Sequence, residues 1–332
     1  MRSQNEESGA LIPSSGRQMI SPITLEQRIR AKTAFLSEKL EDNTKRAYRD
    51  DCNAWERYCR TYGLGTYPVD DVTIVNYIEY LVDEGRALST IQRRVNGLRA
   101  AMKAVGYPFS PETVEAAQTA LTVARKRIMK EPGTRGNGKA RAFTVPELRA
   151  MSDACPDTLR GVRDRALTLL GFAIGARRSE LSNLHVADVT DVAAGLEVHI
   201  RWSKVGEERR PKVPYGQHLE TCPVRAWKAW LAAAGITEGP AFRRIDRHGN
   251  LGASITPEGV GDAITELAAR AGLGKRTAHG LRSGMATEGR RAKHDAVAIA
   301  RQGGWTKHSR EMLGYMQVID EWEDNPLYGI GL

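Results

Sequence analysis

The sequence predicts a mainly α-helical protein of two domains, the first all helix and the second helix with one small sheet. Three observations predict it. Along most of the chain the apolar residues recur at three- and four-residue intervals, the spacing of one helix face. Only one stretch, "LEVHIRW" (196–202), alternates like a strand, and past the charged turn "SKVGEERRPK" a second strand-like run, "VPYG", follows. The length of 332 residues exceeds what one core usually serves, and a Gly-rich basic segment divides the chain.

Residues 1–22 are polar, carry Gly, Ser and Pro without a period, and read as a loose arm. Residues 23–130 read as a helical domain. In "NTKRAYRDDCNAWERYCRTYG", Asn43 is the expected N-cap, and Ala47, Tyr48, Cys52, Trp55, Tyr58 and Cys59 form one apolar stripe. "DDVTIVNYIEYLVDEG" repeats the spacing through Val75, Ile78, Leu81 and Val82 and stops at Gly85. "STIQRRVNGLRAAMKAVG", starting at Ser89, puts Ile91, Val95, Leu98 and Met102 inside and Arg93, Arg94, Arg99 and Lys103 outside. "SPETVEAAQTALTVARKRIMK" places Pro111 at a first helical position and carries Arg125, Lys126 and Arg127 near its end.

Residues 131–143, "EPGTRGNGKARAF", form the linker. Gly133, Gly138 and Lys139 match P-loop spacing, but Ala140 stands where a magnesium-holding Ser or Thr belongs, and a helix precedes instead of a strand. Nucleotide binding is therefore rejected, and Arg135, Lys139 and Arg141 read as a basic strap for a polyanion. The second domain, 144–332, opens with the capping box Thr144/Glu147. Helices follow from about Leu159 through "RDRALTLLGFAIG", then in "CPVRAWKAWLAAAGI" and "ITPEGVGDAITELAARAGL" after the strands. Three shorter helical segments follow, around His279, in "HDAVAIARQGG" and in "SREMLGYM".

Composition bounds the function. A net charge of +9 suits an acidic partner, and no apolar run approaches a membrane span. The first residues lack the apolar stretch of a secretory signal, so cytoplasmic residence is expected. Cys52, Cys59, Cys155 and Cys222 form no CxxC pair and read as reduced thiols.

The chemistry gathers in four stretches. "TAHGLRSGMATEG" sets His279 and Arg282 three residues apart on one helix face, with Glu288 the first acidic neighbour. "GARRSEL" sets Arg177 and Glu180 three apart, as a phosphate fork or as a surface ion pair. The hairpin carries Lys204 at its turn and Lys212 beyond it, either able to donate a proton, unless both only solvate the turn. "GGWTKHSREMLGYM" sets Trp305 after two glycines and Tyr315 ten residues later. No HExxH, paired cysteines or carboxylate cluster offers a metal site, so the set is cations, neutral donors and one nucleophile. Such a set suits an oxyanion whose charge is spread over its oxygens, here a phosphodiester.

These motifs, in this order and spacing from about Asn43 to Tyr315, resemble the tyrosine recombinases, or phage integrases, and among them the Cre-like members. The resemblance implies a core-binding domain and a catalytic domain that form a C-shaped clamp on duplex DNA. It implies that Arg177 and Arg282 bind the scissile phosphate, with Glu180 in support. Lys204 would protonate the leaving 5′ oxygen, His279 would exchange a proton with the nucleophile, and Trp305 would donate to a phosphate oxygen. Tyr315 would form the 3′-phosphotyrosine bond. From their helical faces Arg93, Arg94, Arg99, Arg125, Lys126 and Arg127, and from the basic linker Arg135, Lys139 and Arg141, are the expected DNA contacts. The implied partners are DNA with inverted half-sites and a homotetramer on two paired sites, with no cofactor, metal or membrane.

The interval from Trp305 to Tyr315 is one residue longer than the family pattern leads one to expect, and His308 competes with Trp305 for the donor role. The tail "QVIDEWEDNPLYGIGL" would dock on a neighbour or fold back on its own domain. A type IB topoisomerase and a catalytically inactive DNA-binding regulator are the rival readings.

Overall fold

Between residues 42 and 130 the apolar spacing folds as four helices: α1 (Asp42–Tyr62), α2 (Asp71–Asp83), α3 (Leu88–Val105) and α4 (Pro111–Lys130). The computed structural model describes residues 42–131, 135, 140–201, 208–306, 309–316, 327 and 330. The chain divides into two compact units, residues 1–138 and 139–332.

In the first unit the stripes foreseen from spacing become the core: Trp55, Tyr58, Cys59, Ile78, Leu81, Ile91, Val95, Leu98 and Met102 are all buried. Trp55 meets Tyr77 edge-on at 5.0 Å between ring centroids, and its indole N–H donates to the Thr66 carbonyl at 2.9 Å. The caps are local chemistry. Asp70 accepts from the Thr73 N–H, Ser110 from the Thr113 N–H with Pro111 next in line, and Gly106 ends α3 in the left-handed region. Two starts differ from expectation. Residue 42 is already helical, so Asn43 lies inside α1, and α3 begins at Leu88, one residue ahead of Ser89.

The second unit opens with the expected capping box, Thr144 with Glu147, at α5 (Val145–Asp153). Glu147 also pairs with buried Arg276, which ties α5 to the approach to the His279 helix. The central α6 (Leu159–Ala173) is buried on nearly every side and packs on α8 (Pro223–Ala234). Phe242, Leu170, Trp230 and Ile264 sit in the same core. α7 (Arg178–Ser182) and α9 (Pro257–Arg270) pack together. The last three helices are α10 (His279–Arg291), α11 (Ala296–Gly303) and α12 (Arg310–Met316), with both α11 and α12 on α10.

One sheet was expected, and among the described residues there are two. β1 (Val189–Val192), β2 (Gly195–Val198) and β3 (Lys212–Pro214) form an antiparallel sheet in that order. β4 (Arg243–Ile245) pairs separately with β5 (Leu251–Ser254). β1 and the β4–β5 ribbon escaped detection because "VTDV", "RRI" and "LGAS" are too short to show alternation and carry Asp, Arg or Gly. Residues 202–207, which include the hairpin tip and Lys204, lie outside the described residues, as do the 1–22 arm, Lys139, His308 and most of the tail. Among the described residues no helix is long and apolar enough to cross a membrane. All four cysteines carry free thiols.

Candidate active site

α6 ends at Ala173, and Gly175, at φ 55°, turns the chain so that Arg177 lies at the mouth of α7. Arg177 donates from Nη1 to Glu180 Oε1 at 2.8 Å, and its backbone N–H donates to Oε2 at 3.0 Å. This resolves the surface-pair alternative, because the Glu180 side chain is 2% exposed. A second arginine meets Glu180 from below. Arg209 donates from Nη2 to Glu180 Oε2 at 2.6 Å, and from Nη1 to the Ile174 and Gln302 carbonyls at 2.8 and 2.7 Å. Burial alone would raise the Glu180 carboxyl. The Arg209 charge and the bonds from both arginines outweigh it and hold the carboxyl below its ordinary value.

α10 supplies the next two groups. Arg282 is fully buried, and its Nη1 donates to the Gly175 and Gly303 carbonyls. Its guanidinium lies 3.8 Å from the centre of the Trp305 ring, a cation–π contact. Burial, and then the Arg177 charge, lower its pKa to about 10, which leaves it charged near neutrality. The double glycine before Trp305 has a steric cause. A Cβ on Gly303 would lie 2.1 Å from the Trp305 ring, and one on Gly304 would lie 2.5 Å from Arg209 Cδ. Arg282 Nε and Nη2 and Trp305 Nε1 are buried donors without a partner among the described residues. Three such donors together are a receptor for an anion's oxygens.

His279 begins α10 and is held from behind, since Gly280 accepts at its carbonyl from the Phe143 N–H at 3.0 Å. Its Nε2 lies 2.5 Å from the Tyr315 hydroxyl. α12 is only seven residues long, but buried Met312 and a bond from Thr287 Oγ1 to the Tyr315 carbonyl (3.0 Å) fasten it to the rest. Desolvation lowers the His279 pKa; Glu311 opposes the shift and the Arg282 and Arg177 charges add to it. Tyr315 is pushed well above the usual phenol value, first by burial and then by Glu311.

The structure thus brings together Arg177, Glu180, His279, Arg282, Trp305 and Tyr315. No acid lies close to His279 along the sequence, and Glu288, the first, pairs with Arg291; the fold brings Glu311 to 3.7 Å from His279 Nε2. Lys212 is tied to Glu197 at 2.8 Å on the exposed sheet face. Several of the expected DNA-facing cations neutralise the chain's own carboxylates. Arg93 pairs with buried Asp51 at 2.6 Å, Arg127 with Glu79 at 3.5 Å, and Arg135 with Glu131 at 2.6 Å. Arg94 was expected outside, yet it is half-buried, and its charge acts on Asp51 and Tyr77. Arg99, Arg125 and Lys126 are exposed and have no ion-pair partner among the described residues, and Arg141 is exposed at the edge of Glu147, 3.8 Å away.

Two residues were missed. Arg209 lies in the charged stretch "SKVGEERRPK", where it shares strand parity with buried Pro211 and Val213 while Arg210 and Lys212 point out. Glu311 stands four residues before Tyr315, the spacing that stacks side chains on a helix.

Comparison with known proteins gives the family. Residues 141–320 match the model of the phage integrase family. The integrase/recombinase xerD homolog of Selenomonas ruminantium is 33% identical over 301 residues, covering 88% of this chain and 86% of the relative. The recombinase cre of Escherichia phage P1 is 24% identical over 301 residues, covering 81% and 82%. A lambda integrase tetramer bound to a Holliday junction shares the fold, with a TM-score of 0.59 at 17% identity over 88% of this chain and 77% of that one. The chain belongs to the phage integrase family, the tyrosine recombinases.

Proposed function

We propose that Tyr315 is the nucleophile of this site-specific DNA recombinase, with Arg177, Arg282 and Trp305 as the receptor for the scissile phosphate. The observation that carries this is the 2.5 Å approach of His279 Nε2 to the Tyr315 hydroxyl beside three buried, unpaired donors. Tyr315 attacks phosphorus, and His279 takes the phenolic proton. Arg177 and Arg282 balance the charge that grows on the non-bridging oxygens. The 5′ oxygen leaves with a proton from Lys204. Glu180 acts through Arg177 and Arg209 rather than on the phosphate. The phosphotyrosine conserves the bond energy, so rejoining needs neither metal nor nucleotide.

The substrate in this reading is duplex DNA with inverted half-sites, recombined in the cytoplasm by a homotetramer, bacterial or phage-encoded, on two paired sites. Arg99, Arg125, Lys126, Lys139 and Arg141 are the proposed backbone contacts. The relatives are recombinases and integrases, which favours strand exchange over the topoisomerase and inactive-regulator readings.

The direct test traps the covalent adduct on a duplex nicked beside the cleavage point and maps it by mass spectrometry after proteolysis. The nucleotide is expected on the peptide that contains Tyr315. A nucleotide on Tyr328 instead would sink the assignment.

A pH dependence follows from His279. The imidazole accepts a proton only when neutral, and its pKa is lowered, so the competent fraction grows as pH rises through that value. Single-turnover adduct formation is expected to fall in acid with a midpoint below about 6.5. A midpoint above about 7 in rates measured from roughly pH 5 to 8 would contradict the role.

A further inference from the structure

The Tyr315 hydroxyl carries one proton and faces two acceptors. His279 Nε2 lies at 2.5 Å and Glu311 Oε1 at 2.9 Å, and the same carboxylate oxygen is 3.7 Å from His279 Nε2. A charged carboxylate is the stronger acceptor, so the phenol proton lies toward Glu311 and not toward the imidazole. In that arrangement the proton points away from the base, and the unprotonated Nε2 faces the phenol oxygen without receiving its proton. The carboxylate is also far too weak a base, against a phenolate, to take the proton outright. It holds the proton without removing it.

Glu311 also stands among the groups assigned to the phosphate. Its charge acts on His279 and Arg282, the cations and donors that a phosphodiester would occupy. It is 46% exposed, on the short α12, with room to swing into solvent. From this geometry we infer that Glu311 is a stand-in anion at the reaction centre. It keeps Tyr315 protonated and non-attacking until the scissile phosphodiester enters, repels the carboxylate and takes its place. The phenol proton then turns to His279 Nε2, the oxygen–phosphorus bond forms, and the proton passes to the imidazole as the 5′ oxygen departs. The inference rests on Tyr315 being the nucleophile. Glu311 is a negative element within the site, holding cleavage back where no phosphate is properly seated.

The experiment measures single-turnover adduct formation on the nicked duplex, with saturating protein so that binding does not limit. Wild type is compared with Glu311→Gln, which keeps a hydrogen-bonding side chain but no charge, and with Glu311→Ala. Both variants are expected to form adduct faster by roughly tenfold, the effect of about one pK unit on the attacking group. Both are expected to cleave duplexes lacking the proper site more than wild type does. An unchanged or slower rate in either variant overturns the inference, and a slower one would make the carboxylate a helper of attack. The wild-type adduct, mapped in the same experiment, separates the two questions. An adduct away from Tyr315 overturns the assignment of the nucleophile, whereas an adduct on Tyr315 with no acceleration overturns only the role of Glu311.

Discussion

Tyr315→Phe is expected to eliminate the covalent protein–DNA adduct completely while leaving the fold and DNA affinity close to wild type. The substitution removes one oxygen. The ring contacts remain, with Trp305 at 6.1 Å and His279 at 5.8 Å between centroids, and so does the Thr287 bond to the Tyr315 carbonyl. The bonds lost, to His279 and Glu311, sit on a half-buried side chain, so the stability cost is about 1 kcal/mol. Chemistry has no such reserve, because no other group lies where the hydroxyl does. Nicked-duplex trapping, a melting curve and a binding titration together check the claim. Residual adduct above background would mean another residue attacks. Arg282→Ala is the instructive contrast, since it too should abolish the adduct with Tyr315 intact. It would also strip the Gly175 and Gly303 carbonyls of their donor and leave a void beneath the Trp305 ring, so loss of chemistry and loss of stability arrive together.

What the sequence made legible was whatever local spacing decides. The stripe from Ala47 to Cys59, the Ser110/Pro111 start and the Thr144/Glu147 box depend on residues within one or two turns, and each folds as its spacing implies. The His-x-x-Arg pair was legible for the same reason. What stayed hidden is who neutralises whom. A run of charges shows how many cations there are but not their partners. Arg93 finds Asp51 across 42 residues, Arg209 finds Glu180 across 29, and Arg276 finds Glu147 across 129. These are tertiary facts, and they decide which arginines remain for a polyanion. Arg209 lay between the two cases, since strand parity with Val213 already placed it on the buried face. The β4–β5 ribbon had no comparable signal, because three- and four-residue strands that contain Arg and Gly depend on the pairing itself.

Glu180→Ala should produce the largest loss of stability among these substitutions. Glu180 is the anion between two arginines, and its removal leaves Arg209 with no countercharge at a site where the side chain is 8% exposed. Removing one partner of a buried pair costs about 3–5 kcal/mol, since the remaining charge stays desolvated. For a unit of this size that corresponds to a melting temperature lower by roughly 6–20 °C. Calorimetry on the full chain, following the transition of the 139–332 unit, reads the shift. A fall of less than about 2 °C would mean that the pair contributes little. The pH dependence has a definite sign. A carboxyl held below its unfolded value, which lies near 4.3, contributes stability that is fully present above about that pH. The contribution is lost as pH falls through the lower, folded-state value, so the gap between wild type and variant should be wide at neutrality and close only in strong acid. Adduct formation should fall as well, because Arg177 loses the carboxylate that fixes both its side chain and its backbone N–H. Glu180→Gln separates the two effects. The amide oxygen can still accept from Arg177 and hold its position, but it cannot neutralise Arg209, so cleavage should recover more than melting temperature does.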